Sequence, residues 1–325
     1  MYHDAFKPIV PDLEKARAIF CGLRTPPIQE FQCIAEELYR RPGKWMRPGL
    51  FLLSVKAAGD ITPKHHAVAA ALEMVHNASL LHDDVLDDAQ IRRHAESAKA
   101  RCGNRAAILF GDLLLAGAFR LAAETALPEA YAALSKIIQC LSHGEALQDS
   151  LGAAPERITP EEALSVAERK TASFIMCACR CGHLLGHGEP KAADALGEFG
   201  RRTGIAYQIM DDILDIVGDE ESEGKTLRTD LLNARPTLPL ALLIQRAPKE
   251  TLPLIAAKDV PSLTDLLRRH GAITDAAAEA SRQLDQGSHA LLKAESSSPD
   301  ALHGLRPNFQ LMLDALRRKL ERTVH

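Results

Sequence analysis

The stretch Ser79–Arg93 reads SLLHDDVLDDAQIRR. Asp83, Asp84, Asp87 and Asp88 crowd together in it, while Leu80, Leu81, Val85 and Leu86 keep the apolar rhythm of a helix. In DDxxD on a helix, Asp83 and Asp87 sit one turn apart on one face. Like charges at that spacing cost about a few tenths of a kcal/mol unless something positive lies between them. The unit returns further along the chain: HDDVLD (His82–Asp87) is echoed by MDDILD (Met210–Asp215), with Asp211, Asp212 and Asp215 in the same register. No repeat period accompanies the echo, so it is one chemical unit used twice. A solvated acidic face accounts for one such motif, but not for two that each follow apolar residues and precede basic ones. Clustered carboxylates without Cys or a dense His set suit a hard cation with oxygen ligands. An EF-hand is excluded, because its ligands alternate through a Gly-centred loop. Mg²⁺ takes one or two carboxylates, some waters and substrate phosphates. The ligand set points to Mg²⁺ holding a phosphorylated substrate.

A bound diphosphate also needs protein cations. Arg92 and Arg93 follow the first acidic motif. RPGKWMRPGL places Lys44 and Arg47 beside Gly43 and just before Pro48, a residue favoured in the first turn of a helix. Backbone N–H groups and the positive end of the helix dipole would there face an anion. AERKTA supplies Lys170 and Thr171 on a helix, and GDEESEGKTLRTD supplies Lys225 and Arg228 after the second motif. GDEESEGKT follows a helix instead of linking a strand to a helix, so a nucleotide-binding P-loop is rejected. His76 lies two turns before Asp83 on the same helical face.

The elements that must carry these residues are helical. Hydrophobic residues make up 46% of the 325, but aromatics only 4%, and the apolar content is mostly Ala and Leu. That composition favours helices over sheets. Periodicity broken by short Pro/Gly punctuation predicts helices at 11–22, 27–40, 47–58, 64–92, 104–124, 128–151, 160–186, 190–218, 237–247, 261–269, 272–293 and 299–322. The charged stretch Gly218–Pro236 is expected to be a loop, and ESSSPD (Glu295–Asp300) a break before the last helix. Neither resembles an interdomain linker, so the expectation is one large all-α domain spanning 1–325. A net charge of −4 gives no overall signature of nucleic-acid binding. The N-terminus lacks the apolar run of a secretory signal, and no segment approaches the roughly 18 uninterrupted apolar residues of a membrane span. Seven cysteines suit a reducing cytoplasm better than a disulfide framework. In CACRC only Cys177 and Cys181 share a helical face, so packing is a better reading than a zinc site.

Taken together, these residues resemble the trans (all-E) polyprenyl diphosphate synthases, the isoprenoid chain-elongation enzymes, from about Gly43 to Pro239. GKWMRP is similar to the family's GKxxRP, and HDDVLDDAQIRR to its DDxxDxxxxRR. GEALQ (Gly144–Gln148) fits GExxQ, and KTA (Lys170–Ala172) fits the KT segment. Gly204–Leu231 resembles the second aspartate-rich motif and its GDxxxxGKxxxxDL continuation. The resemblance implies an isoprenoid synthase type I fold, a bundle of long helices around a deep central cavity, usually a homodimer. It implies that Asp83, Asp87 and Asp211 bind Mg²⁺, with Asp84, Asp212 and Asp215 supporting. Lys44, Arg47, His76 and Arg93 would hold isopentenyl diphosphate. Arg92, Lys170, Thr171, Gln208 and Lys225 would hold an allylic diphosphate, and prenyl transfer would release diphosphate. Departures occur at His94, where Gly is usual, at Ala234–Arg235 in place of Gly–Lys, and at Tyr207 in place of Phe. Ala234 would be strained if the position demands positive φ.

The first motif lacks the two-residue insertion of the usual bacterial farnesyl synthases. The family's aromatic plug four or five residues before the first Asp is here Ser79 and Ala78, which implies an open tunnel and a product of twenty carbons or more. GNRAAILFGDLLLAGAF (Gly103–Phe119) resembles the longer-chain branch. The competing readings are a type I terpene cyclase, which handles one diphosphate, and a non-catalytic partner subunit. The separate cation set argues against the first, and two intact acidic motifs argue against the second.

Overall fold

Three-and-four apolar spacing produces an all-α protein whose buried side chains form one contiguous hydrophobic core. The structure, a computed structural model, describes residues 3–23, 25–40, 43–92, 94–219, 227–297 and 302–324. In chain order its elements begin with α1 (His3–Phe6), α2 (Val10–Cys21), α3 (Gln29–Arg40), α4 (Met46–Ala58) and α5 (Pro63–Leu86). A hairpin of β1 (Ile91–Arg92) and β2 (Ala95–Glu96) follows, then α6 (Ala98–Cys102), α7 (Asn104–Thr125), α8 (Pro128–Gly152) and α9 (Pro160–Ala167). A π turn, Glu168–Ala172, runs into α10 (Ser173–Leu185), followed by α11 (Pro190–Val217) and α12 (Thr229–Leu232). The chain ends with α13 (Leu238–Arg246), α14 (Pro248–Ala257), α15 (Val260–Arg269), α16 (Ala272–Ser297) and α17 (Arg306–Val324).

The central helices are α4, α5, α10 and α11. In α4, every residue from Leu50 to Val55 is buried, so the helix is apolar all round, as an interior helix must be. α5 begins with Pro63 in its first turn, and the Thr62 N–H donates to His65 Nδ1 at 3.0 Å. It packs against α7 on one flank and α4 on another, while α11 packs along α16 and α10.

Several boundaries differ from the sequence reading, each for a local reason. The helix expected over 64–92 stops at Leu86: Asp87 closes it with its N–H on Asp83 O at 2.8 Å, Asp88 takes φ +53, and the chain turns into the hairpin. The helix expected over 160–186 is interrupted by the π turn. Four helices fall outside the expected ranges: the short α1 and α6, α12 inside the expected loop, and α14, whose internal Pro253 reads as a breaker. The last helix starts at Arg306, with Pro307 in its first turn, not at 299. α7 is long and apolar enough to cross a membrane by length and composition, although Asp112 interrupts it and Phe110, Leu114 and Ala118 are buried in the core. Cys177, Cys179 and Cys181 are buried and every cysteine is a free thiol.

Candidate active site

Both acidic motifs stand at helix C-termini. Asp83, Asp84, Asp87 and Asp88 occupy the last turn of α5 and the residues just past it, and Asp211, Asp212 and Asp215 occupy the last two turns of α11. The C-terminal end of a helix carries partial negative charge, so carboxylates are unfavourable there unless cations accompany them. The structure supplies those cations. Arg92 Nε pairs with Asp84, whose side chain is almost fully buried. Lys99 pairs with Asp88. Arg235 pairs with Asp87 through Nη2, and its Nη1 donates to Asp230 Oδ1 at 3.2 Å. Asp230 in turn gives its backbone N–H to Asp215 Oδ2 at 3.2 Å, and the Arg228 N–H goes to Asp215 O at 2.9 Å. A continuous chain of contacts therefore runs from the first acidic motif through Arg235 and Asp230 to the second.

Around that chain the carboxylates remain crowded. Burial pushes Asp83 up to about 6; Lys170 and Arg92 pull it down, while Glu145 and Asp87 push it further up. Burial also raises Asp212 well above the usual carboxylate range, aided by Asp230, Asp211 and Asp215, although Gln208 donates to it. Burial works against charge on Arg235, but Asp230, Asp87 and Glu145 outweigh it and raise its proton affinity.

The π turn presents Lys170 and Thr171. Lys170 pairs with Glu145 and donates to Gln148 Oε1 at 3.0 Å. Thr171 Oγ1 donates to Gln208 Oε1 at 2.6 Å, and Gln208 Nε2 donates to Asp212 Oδ1 at 2.8 Å. The close fit of this turn requires glycine on both sides. A Cβ at Gly144 would stand 2.7 Å from Lys170 Cγ, and one at Gly204 would stand 2.4 Å from Ala172 Cα. A π turn inside a helix is rare and recurs at functional sites.

A second cationic group forms where α4, α5 and α10 meet. Arg47 Nη1 donates to His76 Nε2 at 3.1 Å, and its guanidinium carbon lies 5.1 Å from the centroid of the buried Phe174 ring. His76 meets the same ring edge-on, with centroids 6.3 Å apart. Lys44 is exposed in the segment preceding α4. Ala78 is buried, and Ser79 is half-buried with its hydroxyl on His76 O at 2.9 Å. A small pocket of about 60 Å³ opens along a neighbouring stripe of α5, lined by Asn77, Leu80, Leu81 and Asp84. Arg93 and Lys225 lie outside the described residues.

Residues 28–265 match the model of the Polyprenyl synthetase family, which is more than half of the chain. The chain belongs to the polyprenyl synthetase family. The chain is 36% identical over 217 residues to a short chain isoprenyl diphosphate synthase of Methanothermobacter thermautotrophicus, covering 66% of each chain. It is 38% identical over 221 residues to heptaprenyl diphosphate synthase component 2 of Bacillus subtilis, covering 67% of this chain and 63% of that one. The matches thus span slightly less than two thirds of these relatives' own length. Among solved structures, a decaprenyl diphosphate synthase from Rhodobacter capsulatus superposes with a TM-score of 0.88 at 25% identity, over 99% of both chains.

The departures from the family motifs now have a backbone context. His94 holds φ +60 and Ala234 holds φ +50, so both positions impose the left-handed conformation that glycine adopts without strain. No motif in the sequence assigns a role to Phe174 or Lys99. Arg235 stands there only as a replacement of the family's Lys, and Glu145, Gln148 and Asp230 only as motif positions. A helical pattern does not reveal which distant carboxylate a guanidinium meets, and Phe174 reads as one more apolar core residue.

Proposed function

We propose that the chain, as one helical domain spanning 1–325, is a Mg²⁺-dependent prenyltransferase. It condenses isopentenyl diphosphate with an allylic diphosphate into an all-trans polyprenyl diphosphate of twenty carbons or more, releasing diphosphate. The observation that carries this reading is the Asp87–Arg235–Asp230–Asp215 chain, which brings two acidic motifs distant in sequence to one mouth. The Arg47–His76 group supports a second anion subsite beside it.

The family uses divalent metal ions. No three His, Cys, Asp or Glu side chains form a preassembled metal cluster among the described residues. Mg²⁺ does not need one, because it takes one or two carboxylates together with waters and substrate phosphates. The crowded, partly buried carboxylates fit such an ion. Asp83, Asp87 and Asp211 would hold it, and when bound it neutralises charge growing on the departing diphosphate.

The protein's own residues carry the rest. Lys170, Arg92 and Lys225 add positive charge around the leaving group, and Thr171 and Gln208 orient it. Lys44, Arg47, His76 and Arg93 hold isopentenyl diphosphate with its double bond beside the allylic carbon, so positioning supplies much of the acceleration. The double bond attacks as the allylic C–O bond breaks, and the proton lost from the new chain passes to the released diphosphate. The enzyme acts as a homodimer in the cytoplasm. Similarity to a protein named component 2 favours one second reading, a subunit that works only with a different partner.

The test is elongation of labelled isopentenyl diphosphate with Mg²⁺ and dimethylallyl, geranyl, farnesyl or geranylgeranyl primers. The reading expects a ladder ending at one length. No incorporation from folded protein with any primer would defeat it.

A further inference from the structure

Two cysteines outside the acidic mouth stand closer together than the reading above requires. Cys33 lies on α3 and Cys102 ends α6, and the Cys102 thiol donates to Cys33 Sγ at 3.2 Å across 69 residues of sequence. Both are half-buried, and both line a small pocket of about 60 Å³ between α3, α5 and α6. Small solutes entering that pocket therefore meet both sulfurs. Three of the other five thiols, Cys177, Cys179 and Cys181, are buried in the core.

We propose that Cys33 and Cys102 are a reversible disulfide site whose oxidant is a low-molecular-weight disulfide such as glutathione disulfide. One cysteine thiolate attacks a sulfur of that disulfide, breaking its S–S bond and expelling one small thiolate. The second cysteine thiolate attacks the mixed disulfide and expels the other, so the protein dithiol loses two electrons and the small disulfide gains them. The two thiol protons end on the two released small thiols.

The surroundings make the bond easy to form and give it a consequence. Arg101 on α6 already reaches Glu37 on α3 at 3.5 Å, so the covalent link adds to a contact the two elements make. The sulfurs need only close from 3.2 Å to about 2.05 Å. α6 is itself tied to the rim of the first acidic motif. Ser97 Oγ donates to Ala89 O at 2.6 Å, Lys99 pairs with Asp88, and the hairpin preceding α6 places Arg92 on Asp84. Oxidation would fasten α3 to that whole rim and remove a loop of chain entropy from the unfolded state. Burial and the Cys33 thiol beside it push the Cys102 thiol up to about 12, so exchange is slow and must be read at equilibrium.

Disulfide formation does not depend on the prenyl-transfer reading, because neither cysteine belongs to a proposed diphosphate-binding set. The experiment equilibrates the full chain in glutathione buffers from reducing to oxidising, quenches with acid and maps the peptides by mass spectrometry. The expected result is a linked Cys33–Cys102 peptide pair, two hydrogens lighter than the dithiol, together with a rise in Tm on oxidation. C33S and C102S are each expected to lack the rise while keeping wild-type melting and elongation in reducing buffer. Separate glutathionylation of the two cysteines at equilibrium, absence of the linked peptide under excess oxidant, or a Tm rise that persists in C102S would overturn the proposal.

Discussion

Replacing Arg235 with Gln is the most informative single perturbation of the mouth, because its guanidinium joins Asp87 to Asp230. Its side chain is 20% exposed, that of Asp87 23% and that of Asp230 15%. Removing one partner of a fully buried ion pair costs about 3–5 kcal/mol, because a charge is left without compensation. The exposure here lets water recover part of that, so R235Q is expected to lose about 2 kcal/mol. R235K keeps the charge but loses the fork that reaches two carboxylates, and it should lose roughly half as much. A thermal melt reads the difference, with roughly 2–4 °C expected per kcal/mol. The Mg²⁺ response provides the sharper control. In R235Q the Asp87 carboxylate no longer competes between guanidinium and metal, so added Mg²⁺ should raise the variant's Tm more than the wild type's. Equal melting of R235Q and wild type, with equal Mg²⁺ responses, would refute the argument that Arg235 holds the two motifs together.

Four other outcomes follow from the same structure. A234G and H94G each relieve a left-handed backbone and should stabilise by about 1 kcal/mol, read as a higher Tm; unchanged melting would show that neither position is strained. F174L removes the ring beneath Arg47 and against His76, and should raise the KM for isopentenyl diphosphate about fivefold with a smaller change in kcat; a loss confined to kcat contradicts it. A78Y should shorten the product distribution by narrowing the wall before Asp83, and an identical distribution would end the tunnel argument. Burial holds His183 and His65 below the usual histidine value, so the unfolded chain gains protons as pH falls below about 6.5 while the folded chain resists. Stability should therefore drop from pH 7 toward pH 5.5, less steeply in H183L; an identical slope in H183L would contradict this.

Much of this was visible in the sequence because its physics is local. The two DDxxD units and their helical setting follow from spacing alone, whereas the KT segment and the strain at Ala234 were legible only through the family resemblance. The ending of α5 at Leu86 was not, because the acidic run continues the apolar rhythm until Asp88 turns the backbone. α14 stayed hidden behind Pro253, and the π turn behind an uninterrupted helical pattern. Pairings between distant segments, Arg235 with Asp87, Arg47 over Phe174, Cys33 against Cys102, depend on how helices pack, and periodicity carries no record of that.

The most direct test of prenyl transfer counts diphosphate released against isopentenyl units incorporated, in Mg²⁺ and in EDTA, with a single allylic primer. The account predicts one diphosphate for each isopentenyl unit in Mg²⁺ and neither product in EDTA. Diphosphate released from the allylic primer with no isopentenyl incorporated would contradict it and mark a one-substrate cyclase instead.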